Sequence, residues 1–114
     1  MPERAARLSD HHTCPMVEAF PQPDGTVLML PHVGGPIQTA GSPDVRIAGQ
    51  FAATVGSGCR CTGVASIPGS QSLDLIVNGS STVRINGKAA ARRGDRTAHG
   101  GTIVTGAPTV LIGG

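Results

Sequence analysis

Four histidines and three cysteines hold most of the reactive chemistry in this 114-residue sequence. Six of these seven side chains, His12, Cys14, His32, Cys59, Cys61 and His99, are candidate ligands for one structural metal ion. A closed zinc site takes four Cys or His ligands in a tetrahedron, and these six are spread too widely for a zinc-finger or zinc-ribbon spacing. In an extended segment His12 and Cys14 point to one face and His11 to the other. Catalysis fits these residue types less well. No His-Glu pairing suggests an open hydrolytic metal site with a general base beside it. The carboxylates are scattered and fall mostly in turn contexts, so no acid/base pair can be named. A Cys-His arrangement could be assembled from His99, Asp95 and a cysteine, but those residues also fall at turn and ligand positions of a repeat. The glycines after His99 could form an anion-binding nest, yet no phosphate-loop or dinucleotide pattern accompanies them, and turn-making explains them better.

That repeat decides how the ligands are positioned. Residues 79–99 can be laid on residues 41–61, matching Gly79 with Gly41, Val83 with Val45, Arg84 with Arg46, Ile85 with Ile47, Gly87 with Gly49 and Gly94 with Gly56. His99 then falls on Cys61. The closing half of the unit also matches the N-terminus: Ala90-Ala91-Arg92 on Ala5-Ala6-Arg7, Asp95 on Asp10, and His99 on Cys14. The opening half returns at residues 106–114. One unit is therefore read three times in circular permutation, and Cys14, Cys61 and His99 occupy equivalent corners. Within the unit, Val83 and Ile85 alternate with polar neighbours as in a half-buried strand. Asn86-Gly87 is a preferred two-residue hairpin turn, and Gly94-Asp95 marks a second turn. Between the units, Asp24-Gly25 predicts a hairpin tip with residues 27–30 as one arm. Pro68-Gly69 predicts a turn, and residues 73–77 a strand. No sustained helical period is present. The expected fold is all-β: a short pseudo-threefold arrangement of repeats wound about an axis, with a metal near one end.

Composition limits the alternatives. A net charge of +2 with no tyrosine or tryptophan argues against a nucleic-acid partner. No apolar run reaches the length of a membrane-spanning helix, and the first residues lack the apolar core of a signal peptide. With 17 glycines, 9 prolines and only Phe20 and Phe51 as aromatics, the core needs a staple. An odd number of cysteines and no secretory signal favour a metal over disulfides.

Residues 88–101, KAAARRGDRTAHGG, followed by residues 106–114, GAPTVLIGG, resemble the PAAR-repeat family of spike-tip proteins from type VI secretion and related contractile injection systems. DHHTCP at residues 10–15 and PHVGGPI at residues 31–37 resemble the family too, so the likeness spans nearly the whole chain. The sequence departs from the family pattern at Ser57, which stands for the usual Asp, and at Ser9, which stands for the usual Gly. The resemblance implies a β-structured cone with a zinc ion near its sharp end, held by three His and one Cys. Carried onto this chain, the set is His12, His32, Cys61 and His99. Cys14 competes with His12, which would give a two-His, two-Cys site, Cys59 is the alternative to Cys61, and iron is an alternative to zinc.

The same resemblance implies a single domain over residues 1–114 without an effector extension, and a structural role with no catalysis. The broad base would cap a trimeric VgrG-like spike, with secreted effectors as further partners. The protein would be made in the bacterial cytoplasm, be injected without a cleaved signal, and pass transiently through a target membrane. The tip of a phage tail or extracellular injection machine is the alternative, and a small zinc-dependent hydrolase is a more distant one.

Overall fold

The computed structural model describes residues 2–64 and 66–114. Among them there is no helix, and the longest strands have five residues. In chain order the strands are β1 (Glu3–Arg4), β2 (Val17–Pro21), β3 (Val27–Pro31), β4 (Ile37–Thr39), β5 (Arg46–Ile47), β6 (Gln50–Phe51), β7 (Gly58–Arg60), β8 (Leu73–Leu75), β9 (Arg84–Ile85), β10 (Lys88–Ala89) and β11 (Leu111–Ile112).

The predicted repeat is visible as three equivalent strand pairs. β5 pairs with β6 and β9 with β10, Ile47 lying opposite Gln50 and Ile85 opposite Lys88. The third pair joins the far ends of the sequence: β1 runs antiparallel to β11, with Glu3 opposite Ile112. The two local hairpins turn through Ala48-Gly49 and Asn86-Gly87. Both residues of each turn have positive φ, 49° and 85° in the first, 52° and 78° in the second, the geometry whose twist matches that of the flanking strands.

Each pair feeds two successive alanines into the interior. Ala5, Ala52 and Ala90 are fully buried and pack with Ile47, Ile85 and Ile112. Ala6, Ala53 and Ala91, also fully buried, form the next cluster with Ile37, Ile76, Ile103 and Cys59. The second set closes on itself through its backbone. Ala6 N–H donates to the Ala91 carbonyl, Ala91 to Ala53, and Ala53 to Ala6, each at 3.0 Å. A ring so tight leaves no room for a larger side chain, which accounts for alanine at these three positions. The two phenylalanines lie outside both clusters. Phe51 is half-buried beneath the Arg46 guanidinium, 4.5 Å from its ring centroid, and Phe20 is half-buried on β2. The core is built from alanines and branched aliphatics, with no aromatic ring in either cluster.

Beyond the alanines each repeat turns. Asp10 Oδ2 accepts from the Arg7 amide at 2.8 Å, and Asp95 Oδ2 from the Arg92 amide at 2.7 Å. At the third corner Ser57 Oγ takes the Thr54 amide at 3.1 Å, so serine caps this turn in place of aspartate. Gly56 and Gly94 enter their turns at φ 93° and 92°, and Ser9 adopts φ 77° at the matching place.

Two connections interrupt the repeats. β2 and β3 form the hairpin predicted around Asp24-Gly25, and Val17, Val27 and Met29 on it are exposed. Asp24 Oδ1 accepts from the Thr26 hydroxyl at 2.6 Å and the Thr26 amide at 3.0 Å, and these bonds hold its carboxyl below the ordinary range. The second connection includes the turn at Pro68-Gly69 and ends in β8, which pairs with β7, and β7 with β4. The Cα envelope measures 52 × 26 × 23 Å.

Candidate metal centre

The chain passes from each turn into a ligand-bearing corner. Residues 12–14 run between two glycine segments that approach it almost to backbone contact. A Cβ built on Gly34 would lie 1.8 Å from the His12 carbonyl oxygen, and one on Gly101 would lie 1.7 Å from that of Thr13. Only glycine permits either approach. His12 N–H donates to the Gly35 carbonyl at 3.0 Å and Thr13 N–H to that of Thr102 at 2.8 Å. The two histidines just before these glycines, His32 and His99, are thereby brought to the segment that carries Cys14. Cys61 arrives from the end of β7, its amide bonded to the Ser72 carbonyl at 2.7 Å.

Ligand atoms of Cys14, His32, Cys61 and His99 lie within 4.8 Å of one another. Cys14 Sγ is 3.5 Å and Cys61 Sγ 3.6 Å from His99 Nδ1. The nitrogen–sulfur edge of a tetrahedral zinc site, from its bond lengths, is about 3.5 Å. The His32 and His99 rings meet edge to face, with centroids 5.2 Å apart.

His32 is oriented for ligation. Its Nε2 is 2.5 Å from Glu18 Oε2, while its Nδ1 is buried with no hydrogen-bond partner. A carboxylate on one ring nitrogen and a bare lone pair on the other is the arrangement of a metal-binding histidine. Glu18 is fixed in turn by the Gln71 amide, 3.1 Å from both of its oxygens. Partial burial works to raise the Glu18 carboxyl, and the bonds from His32 and Gln71 outweigh it, leaving the group below its ordinary range.

Burial pushes the Cys61 thiol up to about 12, with Cys14 and Asp74 adding to the effect. A thiol so placed gives up its proton when a cation takes it. The donor set, two thiols and two imidazoles with one orphaned nitrogen, suits a borderline-soft divalent metal.

Three of the four ligands expected from the sequence, His32, Cys61 and His99, are thus grouped with Cys14. His12 stands on another side of Cys61, its Nε2 3.5 Å from Sγ, and falls in a separate group with Cys61 and Asp74. Cys59 is packed in the apolar cluster, its thiol pushed up to about 12 by burial, and His11 is exposed. Two carboxylates of the site, Glu18 and Asp74, are not legible from sequence pattern. Each faces a histidine distant in sequence, Glu18 facing His32 and Asp74 facing His12 and His99, and only those contacts mark them.

A family model described as the PAAR motif matches residues 29–105 of the sequence. No curated protein gives a significant match.

Proposed function

Because the chain belongs to the PAAR-motif family, whose members are associated with the spikes of type VI secretion and other contractile injection systems, we propose that it is a structural cap seated on the end of a trimeric VgrG-like spike. The observation that carries this reading is the ring of Ala6, Ala53 and Ala91 with its three equivalent strand pairs. A single chain that repeats one unit three times can meet three identical subunits with three similar edges, which a chain without repeats cannot do. The strand pairs would form the broad base of a cone, and the turns and ligand corners its narrow end.

At that end a zinc ion would be held by Cys14, His32, Cys61 and His99, with Glu18 fixing the His32 ring. The ion would supply cross-linking rather than chemistry, tying segments from both halves of the chain where there is no space for an apolar core. The exposed apolar hairpin of β2 and β3 would be available to cargo carried with the spike. The working cycle would be synthesis in the bacterial cytoplasm, assembly on the spike and ejection through a target membrane, a mechanical role that needs no catalytic step.

Mixing the purified chain with a VgrG-type trimer tests the proposal by co-elution and native mass. One chain per trimer is the expected complex. The substitution Cys14→Ala, far from the base, should weaken metal retention and leave this stoichiometry intact. Failure to bind any such trimer would overturn the assignment, and binding only to a trimeric spike from a phage or extracellular injection machine would change the partner.

A further inference from the structure

Asp74 is the most deeply buried carboxylate of the site, with a side-chain exposure of 0%. Its Oδ1 accepts from the amides of Leu75 and His99, both at 2.9 Å. Its Oδ2 is buried and has no hydrogen-bond partner. No lysine or arginine among the described residues pairs with it. That oxygen faces His12 Nε2 at 3.5 Å and His99 Nδ1 at 3.8 Å.

The His12 ring is held from the other side. Its Nδ1 lies 2.8 Å from the Gly35 carbonyl oxygen, which can only accept. The Gly35 amide is more distant, at 3.4 Å. The shorter contact assigns the ring proton to Nδ1 and leaves Nε2 with a bare lone pair. A bare imidazole nitrogen and a bare carboxylate oxygen therefore face each other at 3.5 Å in a place with no exposed surface, with Cys61 Sγ also 3.5 Å from the nitrogen. Acceptors converging in a dry site need positive charge among them.

We propose that His12, Asp74 and Cys61 hold a second divalent cation, sharing the Cys61 thiolate with the ion bound by Cys14, His32, Cys61 and His99. One nitrogen, one oxygen and one sulfur donor select a borderline cation of the zinc class over calcium or magnesium. The pairing rests on the metal reading of the neighbouring centre. It extends that reading by giving roles to His12 and Asp74, and it accounts for a buried carboxylate in a protein with little core to hide one.

The test uses the full chain with zinc as the probe, counting bound ions by equilibrium dialysis and elemental analysis. Wild type should bind two ions. Asp74→Asn, which keeps the oxygen that accepts the His99 and Leu75 amides, should bind one, and so should His12→Ala. Cadmium substitution gives an independent readout: two NMR resonances coupled through the shared sulfur in wild type, and one resonance in either variant. A wild-type count of one overturns the second position and leaves the first standing. A count of zero overturns both. Two ions retained by Asp74→Asn and by His12→Ala would also overturn the proposal.

Discussion

A histidine binds metal well when its second nitrogen is anchored, and here the anchor of His32 comes from outside the repeat. Glu18 lies on β2, in the first of the two connections, and reaches His32 at 2.5 Å. Glu18→Gln keeps the size of the side chain and removes its charge. Loss of such a partner costs about 10- to 100-fold in metal affinity, so competition against a chromogenic chelator should show a weakening of that order. Unchanged affinity would mean that Glu18 serves only to pin the Gln71 amide. The sequence makes Cys14, Cys61 and His99 legible because the repeat places them on equivalent corners of its three copies, and His32 legible through its glycine neighbours. Glu18 and Asp74 carry no such mark. One sits at the start of a hairpin and the other in the middle of a three-residue strand, and each gains its meaning only from a histidine far away in the sequence.

At the scale of elements, the three copies of the unit are unequal, and the inequalities predict their own repair. Asn86 and Ala48 hold the same turn position at φ 52° and 49°. Asparagine tolerates that conformation, whereas alanine pays a steric penalty there. Ala48→Asn should therefore stabilise the fold by about 0.5–1 kcal/mol. Ser9 stands at φ 77° where the other copies have Gly56 and Gly94, and Ser9→Gly should stabilise by a similar amount, about 0.5–1 kcal/mol. Thermal melts of the two single variants and the double would check both values, and a lower melting temperature for either would count against the equivalence of the copies. Hairpin positions were readable because Asn-Gly and Asp-Gly carry their own turn geometry. The identity of the core was not. Aromatics are the usual source of apolar mass, and nothing local in AAAR or FAAT reveals that those alanines form a closed backbone ring.

For the molecule as a whole, the consequence is a body longer than it is wide, 52 Å against 26 and 23 Å, whose apolar clusters are small and whose ligand corner draws on residues from 14 to 99. Such a body should depend on its metal for stability. Free zinc at about a thousand times its Kd stabilises a folded chain by about 4 kcal/mol, equivalent to about 15 °C or more in the melting temperature of a domain this small. Stripping the protein with a chelator should lower the melt by that amount, and zinc should restore it. A melt unchanged by chelation would show that the alanine and isoleucine layers suffice alone.

The pairing of Arg4 with Leu111 also governs how the protein can be made. A ribosome makes β1 long before β11, so β1 waits without its partner until Leu111 has emerged. The Ala6 amide waits as well, because its acceptor is on Ala91. Closure of the ring therefore waits until Leu111 has been made, and until then the growing chain carries an unpaired strand edge open to other chains.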